Sequence, residues 1–423
     1  MNFAVHSLNP ALATVQRASM RMLGLGCFTA EALAEQIDFS ACHEGRPTLL
    51  CMSRAVFNSD IGALRTRTNL NYATVSAAAF ESLLAPHVPP SERLQTYFNA
   101  AFAAAGDGTK RKMLDIVHRF LNAAIARHPI HAVAVANTDY WQDEVLKDVC
   151  RMLSLPFLVL CRENYAVGHS QELLKTRIRQ SKFRFRGTGV AVASDITRDT
   201  MLASGAYEPD SVSTVGWPRF DTWLDRQADA VPDEKLIVLI AYQQDGYLAP
   251  RNFTGALNAF VKAARQSGTP ERFVIKLKKM AHLKDLLLSC PRLLFSGVKI
   301  VASGPLDDLL RRAAAVVGYN TTGVLEAYLT SAAVVVPWWD DAVRPGRECL
   351  ISALDEDDRR TAHFPLSPDE LCALLLRAAR GDLPALGDRQ ERLMRFRKFV
   401  WIDMHSSASA RFEAFARRYI AYP

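Results

Sequence analysis

Short apolar runs, each bounded by polar or turn-forming residues, recur along most of the chain. They alternate with longer segments whose apolar positions fall three and four apart. The first pattern is that of a strand buried on both faces, the second that of an amphipathic helix. The first 110 residues give the sparsest signal. There, residues 48–56 (TLLCMSRAV) read as a strand, 58–60 as a turn, and 91–105 and 110–127 as helices. The last of these carries Met113, Ile116, Val117, Phe120 and Leu121 at helical spacing. From about residue 130 the rhythm is regular, with strands expected at 132–136, 157–161, 189–193 and 211–215. Helices are expected at 141–153 and from a Ser194 cap to residue 203. A polar segment at 227–234 precedes a second series. Its strands are expected at 235–242, 272–277, 299–302, 315–319 and 332–337. Its helices are expected at 253–267, 306–314, 323–330, 367–380 and 389–399, with a last helical segment at 406–419.

Strands alternating with helices imply parallel sheets covered on both faces, and 423 residues exceed one ordinary core. The expected class is α/β, with two Rossmann-like doubly wound lobes facing a cleft. The first spans residues 1–226 and the second 227–400, leaving 401–423 as a closing segment. Ligands of such sheets sit beyond the carboxyl ends of the strands.

Composition narrows the class. The eight cysteines are scattered, never form a CxxC pair, and several lie inside apolar runs, as Cys161 does. Such usage suits buried free thiols in a reducing compartment rather than a disulfide framework or a zinc site. The N-terminal residues lack the layout of a signal peptide, and no apolar run has the length of a membrane span. The expectation is a cytoplasmic protein. A net charge of +7 leaves open an anionic partner, whether a sugar nucleotide or a membrane surface. The densest basic stretch, residues 175–186 (KTRIRQSKFRFR), reads either as a membrane-surface or phosphate contact or as a solvated helix face. No nucleic-acid-binding motif accompanies it, so no nucleic-acid partner is expected.

Candidate chemistry gathers at the expected strand ends. Residues 316–327 run from a buried strand through Asn320, Thr321, Thr322 and Gly323 into a helix start. Free N–H groups, hydroxyls and a glycine there suit a phosphate, and the same residues also suit a plain helix cap. Glu326, one turn on, could receive ribose hydroxyls or favour the helix dipole. Trp338, with Trp339, follows the next strand and could flank a sugar or close a lid. Gln243, Gln244 and Asp245 follow the first strand of the second lobe; Asp245 is a candidate nucleophile or base, or a turn-capping residue. Lys276, Lys278 and His282 cluster past the next strand, as cations suited to a phosphate or carboxylate. In the first lobe, Asp139 and Glu163 follow successive strands, and Glu163 fits an acid/base role. Arg219 follows the last strand of that lobe. No DxD run on a strand–loop argues for a metal-held pyrophosphate, and no metal or cofactor is expected.

Three local matches make the chain resemble GT-B-type glycosyltransferases of bacterial surface-polysaccharide assembly. Residues 216–221 (GWPRFD) resemble the G-x-P-R-F-D that ends the first lobe in capsule and teichoic-acid transferases. Residues 320–337 resemble their donor-phosphate segment. Residues 405–411 (HSSASAR) resemble the S-S-x-R helix that packs back across the lobes. The nearest likeness is to capsule-type retaining β-Kdo transferases, which use CMP-Kdo. That resemblance implies Asp245 as nucleophile, Glu163 as acid/base, and His282 with nearby lysines at the donor. The family's K-x-H-P is replaced here by residues 276–282 (KLKKMAH), which leaves His282 and Lys278 as alternatives for the histidine's place. It further implies a nucleotide-sugar donor, a glycan or lipid-linked glycan acceptor, and peripheral contact with the inner membrane. Three alternatives stand beside it: a CDP-polyol phosphotransferase, a sugar-nucleotide epimerase, and a non-catalytic glycan-binding subunit.

Overall fold

The computed structural model describes residues 29–88, 106–162, 170–181, 183–225, 235–241, 250–278, 280–304, 306–319, 321–343, 350–403 and 406–420. Within them the apolar runs form two all-parallel sheets. The first holds β1 (Thr48–Ser53), β2 (Asn71–Ser76), β3 (Ala132–Val135), β4 (Phe157–Leu160), β5 (Gly189–Val192) and β6 (Val212–Thr214). Their order is β2-β1-β3-β4-β5-β6. The second holds β7 (Leu236–Ala241), β8 (Phe273–Leu277), β9 (Lys299–Val301), β10 (Ala313–Val317) and β11 (Ala333–Val335), in the order β11-β10-β7-β8-β9. Every strand pair is parallel. These are the two doubly wound, Rossmann-like lobes expected from the alternating pattern.

Alternate side chains of a strand leave on opposite faces, and both faces are covered. Leu50, Met52, Val133 and Val135 pack with the helices Asp107–Arg127 and Trp141–Met152. Their neighbours Leu49, Cys51, Ala132 and Ala134 pack with Phe57, Ile61 and Leu64 of helix Ala55–Arg67. In the second sheet Ile237, Leu239 and Ile275 meet helices Pro250–Ser267 and Pro368–Arg380. Val238, Ile240 and Val274 meet Phe396 and Phe399 of helix Arg389–Phe399. Two-sided burial is why these strands read as unbroken apolar runs.

The chain then returns to the first lobe. The Trp401 N–H donates to the Ala193 carbonyl at 2.6 Å. Gly216, at φ +89°, lies so close that a Cβ would sit 2.4 Å from the Trp401 carbonyl oxygen. Ser407 caps the final helix, Ala408–Arg417, and Asp221 takes up the N–H groups of its first turn. One carboxylate oxygen accepts from the Ala408 N–H at 2.8 Å, the other from the Ser409 N–H and hydroxyl at 2.8 and 2.5 Å. Phe412 and Phe415 of that helix complete the second face of the first sheet. Both ends of the G-x-P-R-F-D-like motif therefore hold the C-terminal crossover in place.

Some local expectations change. Residues 58–60, read as a turn, lie inside helix Ala55–Arg67. β2 was not anticipated; its Asn71 is polar yet buried, donating to the carbonyls of His43 and Arg46 at 2.7 and 3.0 Å. The helix expected over 323–330 spans only Thr322–Glu326 before tightening into a 3-10 turn at Ala327–Leu329. The helix expected over 91–105 and the boundary at 227–234 lie outside the described residues.

Candidate functional site

Each sheet has one place where the strand order reverses, the place at which open parallel sheets form a ligand crevice past the carboxyl ends. In the second sheet it lies between β7 and β10. β10 leads through Gly318 and Tyr319 to Thr321, which caps helix Thr322–Glu326, its hydroxyl accepting from the Gly323 N–H at 3.4 Å. Thr321 and Thr322 are half-buried and Gly323 is buried. A Cβ on Gly323 would meet Leu306 at 2.6 Å and Ile240 at 3.1 Å. Its lack of a side chain is thus explained by packing of the helix on the sheet, not by room left for a phosphate. β7 ends at Ala241, so the loop carrying Gln243, Gln244 and Asp245 departs from this same crevice. Those three residues, and Asn320, lie outside the described residues.

The other candidates of this lobe separate. The Lys276 ammonium donates to the carbonyls of Ser303 and Gly304, each at 2.9 Å, so it ties β8 to the loop after β9. Burial lowers its pKa from the usual lysine value. Lys278 is exposed. His282 is half-buried in the turn Met280–His282, with its Nδ1 buried and unpaired among the described residues. Trp338 makes an edge-to-face contact with Phe364 at 5.8 Å. Trp339 is buried in the core, and its carbonyl accepts from Asn252 at 2.8 Å, a structural position. Glu326 faces the other lobe: it pairs with Arg219 at 3.2 Å. Burial raises its carboxyl above the usual range, while the Arg219 guanidinium pulls it back down.

Arg219 belongs to a network at the mouth of the first sheet. Its N–H donates to Asp60 at 3.1 Å, and Asp60 pairs with Arg162 at 2.9 Å. The Arg162 and Arg219 guanidiniums lie 4.5 and 4.8 Å from the Trp217 ring. The Trp217 indole N–H donates to the Cys161 carbonyl at 2.9 Å. Burial pushes the Asp60 carboxyl up to about 6, against the pull of Arg219. The close Arg162 cation acts in the same downward direction, so the pair is ionised at neutral pH. Arg162 Nη1 is buried and unpaired among the described residues. Glu163 follows at once but lies outside the described residues, as does the rest of its loop.

The reversal of the first sheet falls between β1 and β3. Past β1 stands Arg54, its guanidinium 4.2 Å from the Tyr140 ring and its Nη2 buried without a partner among the described residues. Past β3, Asn137, Thr138 and Asp139 are fully buried; the Asp139 N–H donates to the Asn137 side chain at 3.3 Å. Asp143, in the first turn of helix Trp141–Met152, is buried too. Burial pushes its carboxyl up to about 7; Arg54 and Lys147 oppose this, whereas Glu144 and Asp139 add to it. Sequence reading missed Arg54, Asp60 and Asp143. Arg54 could have been flagged as a cation directly after a strand. Asp60 was hidden by the turn reading, and Asp143 looks like any acid at a helix start.

In the basic stretch 175–186 the apolar side chains turn inward, while Arg179 and Arg184 are exposed. Phe183 is buried and Phe185 stacks on Tyr207 at 5.7 Å. Arg186 pairs with Asp148 and Glu144, each at 2.8 Å, and Arg179 donates to the Ala203 carbonyl at 2.7 Å. Lys147, fully buried, pairs with Glu144 and lies 5.4–5.8 Å from the rings of Phe157, Phe183 and Phe185. These phenylalanines enclose a cation and do not form a surface contact.

Among the described residues, no group of His, Cys, Asp and Glu is placed to hold a metal ion, and no helix is long and apolar enough to cross a membrane. No family model and no curated protein matches the chain. Solved structures do. A variant of Os79 from O. sativa in complex with UDP is 12% identical with a TM-score of 0.50, covering 88% of this chain and 100% of that one. The UDP-GlcNAc 2-epimerase of Methanocaldococcus jannaschii, in complex with UDP-GlcNAc and UDP, is 13% identical with a TM-score of 0.49, covering 88% and 99%. At 12% identity the likeness to the Os79 variant is one of fold alone, and it agrees with the two-lobed, Rossmann-like GT-B architecture that the sequence led us to expect.

Proposed function

We propose that this chain is a glycosyltransferase whose sugar donor is a nucleotide sugar held at the carboxyl ends of β7 and β10. One observation carries the reading. The two segments singled out from sequence, the loop after β7 with Asp245 and the helix start at Thr321–Thr322, leave the sheet at the point where its strand order reverses. That is where open parallel sheets bind ligands. The likeness of fold to a UDP-bound protein agrees with a nucleotide donor. The reaction then places the donor phosphate at the N–H groups and hydroxyls of Thr321 and Thr322, which stabilise the charge on the departing nucleotide.

The finer reading is transfer of Kdo from CMP-Kdo to a surface-polysaccharide glycan, with retention. Asp245 attacks the anomeric carbon and CMP leaves. The acceptor hydroxyl then displaces the carboxylate while giving its proton to Glu163. Glu163 follows Arg162, which Asp60 anchors at the end of β4. Lys278 and His282 are the cations offered to the sugar carboxylate or phosphate; Lys276 is left a structural part.

Two experiments test this. CMP raises the melting temperature in a screen of CMP, CDP, UDP and GDP, since a ligand bound only by the folded state stabilises it. Stabilisation by UDP or GDP alone removes the Kdo reading but keeps a nucleotide donor. Asp245→Ala and Glu163→Ala each lower transfer by about 10²–10⁴-fold. Full activity in both, with folding intact, overturns the catalytic assignment.

A further inference from the structure

Four of the nine exposed large hydrophobic side chains among the described residues fall within residues 280–295: Met280 at 63%, Leu288 at 71%, Leu294 at 64% and Phe295 at 84%. They belong to the turn Met280–His282, helix Leu283–Ser289 and the 3-10 turn Pro291–Phe295. The segment is anchored, because Leu286, Cys290 and Leu293 are buried in the core of the second lobe. Its outward side chains are a separate matter. Met280, Leu283, Leu287, Leu288 and Pro291 line an open groove of about 700 Å³ whose one charged wall is Lys284. Single exposed apolar residues are ordinary on a protein surface; a cluster around an apolar groove marks an interaction site.

Charge identifies the occupant. Residues 276–299 carry six cations (Lys276, Lys278, Lys279, Lys284, Arg292 and Lys299) against the single acid Asp285, in a chain whose net charge is +7. Of these, Lys284 and Arg292 are exposed in the segment, and Lys278 and Lys299 at its two edges. A second copy of the chain, meeting this face across a two-fold axis, would bring those cations together and pay for it in repulsion. An anionic lipid surface reverses the sign: apolar side chains enter the acyl boundary while the cations meet phosphates.

We propose that this face of the second lobe, centred on Leu288 and Phe295 and rimmed by Lys284 and Arg292, docks the protein on an anionic lipid bilayer. It replaces the 175–186 stretch as the membrane contact, and it does not depend on the donor or the reaction. The test is flotation of the full chain with vesicles. The protein floats with vesicles of phosphatidylglycerol and phosphatidylethanolamine and stays behind with phosphatidylcholine, and added salt weakens the binding. Leu288→Ser with Phe295→Ser lowers the bound fraction by at least about fivefold, and Lys284→Glu with Arg292→Glu does the same. All four positions are exposed, and a thermal melt of each variant verifies its fold. The proposal is overturned by wild-type protein that does not float with the anionic vesicles. It is equally overturned if the charge variant, folded, floats as well as the wild type. A dimer that the Leu288 and Phe295 substitutions split, with no vesicle binding, would assign the face to a second copy instead.

Discussion

At the mouth of the first sheet, Asp60, Asp143 and Arg162 are buried, and Arg162 and the half-buried Arg219 lie against Trp217; at the mouth of the second, the described positions are Thr321, Thr322 and Gly323. The first arrangement is expensive to desolvate and only partly paired within the protein. Among the described residues Arg54 Nη2 and Arg162 Nη1 have no partner, and the carboxyls of Asp60 and Asp143 are driven upward. The second offers hydroxyls and backbone N–H groups, which suit an anion that arrives with its own charge. The difference suggests a division of labour. Under the proposed function, the helix start at Thr321–Thr322 would meet the donor with hydroxyls and N–H groups, and the first lobe would hold fixed charge where proton transfer and acceptor alignment occur. The Arg219–Glu326 pair links the two.

The comparison can be broken from the charged side first. Asp60→Ala strands Arg162 as a buried cation and costs about 3–5 kcal/mol, read as a lowered denaturation midpoint. A loss below about 1 kcal/mol would mean that the network is solvated rather than buried.

Asp143→Asn acts through pH. The folded carboxyl lies above its unfolded value, so its stability cost grows as pH rises from about 3.9 and levels off above about 7. The substitution therefore stabilises the protein at pH 8 relative to pH 5 by about 2–3 kcal/mol, checked by melting at both. No pH dependence of the difference would place Asp143 in contact with water or a firmer cation.

Glu326→Gln keeps an acceptor for Arg219 and removes the charge. Its stability effect is about 1 kcal/mol, and nucleotide affinity is unchanged if Glu326 serves the lobe contact rather than a ribose. Smallest is Thr321→Ala, at about 0.5–1 kcal/mol for the lost cap. The same change weakens nucleotide binding in titration calorimetry, which a purely structural cap would not.

How much of this was legible follows from what each residue answers to. Strands buried on both faces leave unbroken apolar runs, so β3 to β5, β7 and β10 could be read directly. β2 could not, because Asn71 and Thr74 interrupt it for reasons that lie in the turn at His43–Arg46 and in the bridge from Asp38 to Thr74. The short helix Thr322–Glu326 was read too long because its burial, with Val324 and Leu325 inward, continues into the 3-10 turn. Strand ends pointed to the second crevice, and topology agrees. They could not reveal Asp60 or Asp143, whose significance comes from Arg162 and Arg54, distant in the chain. The 175–186 stretch misled because its phenylalanines enclose Lys147, a partner that no local spacing announces.

The central claim is that the second crevice is the nucleotide site. Amide hydrogen exchange with and without CMP, followed by mass spectrometry, tests it most directly. The account predicts slowed exchange in peptides covering residues 318–326 and the loop after Ala241, with little change around β1 and β3. Unchanged exchange there with CMP, CDP, UDP and GDP alike, or protection confined to the first lobe, would contradict it.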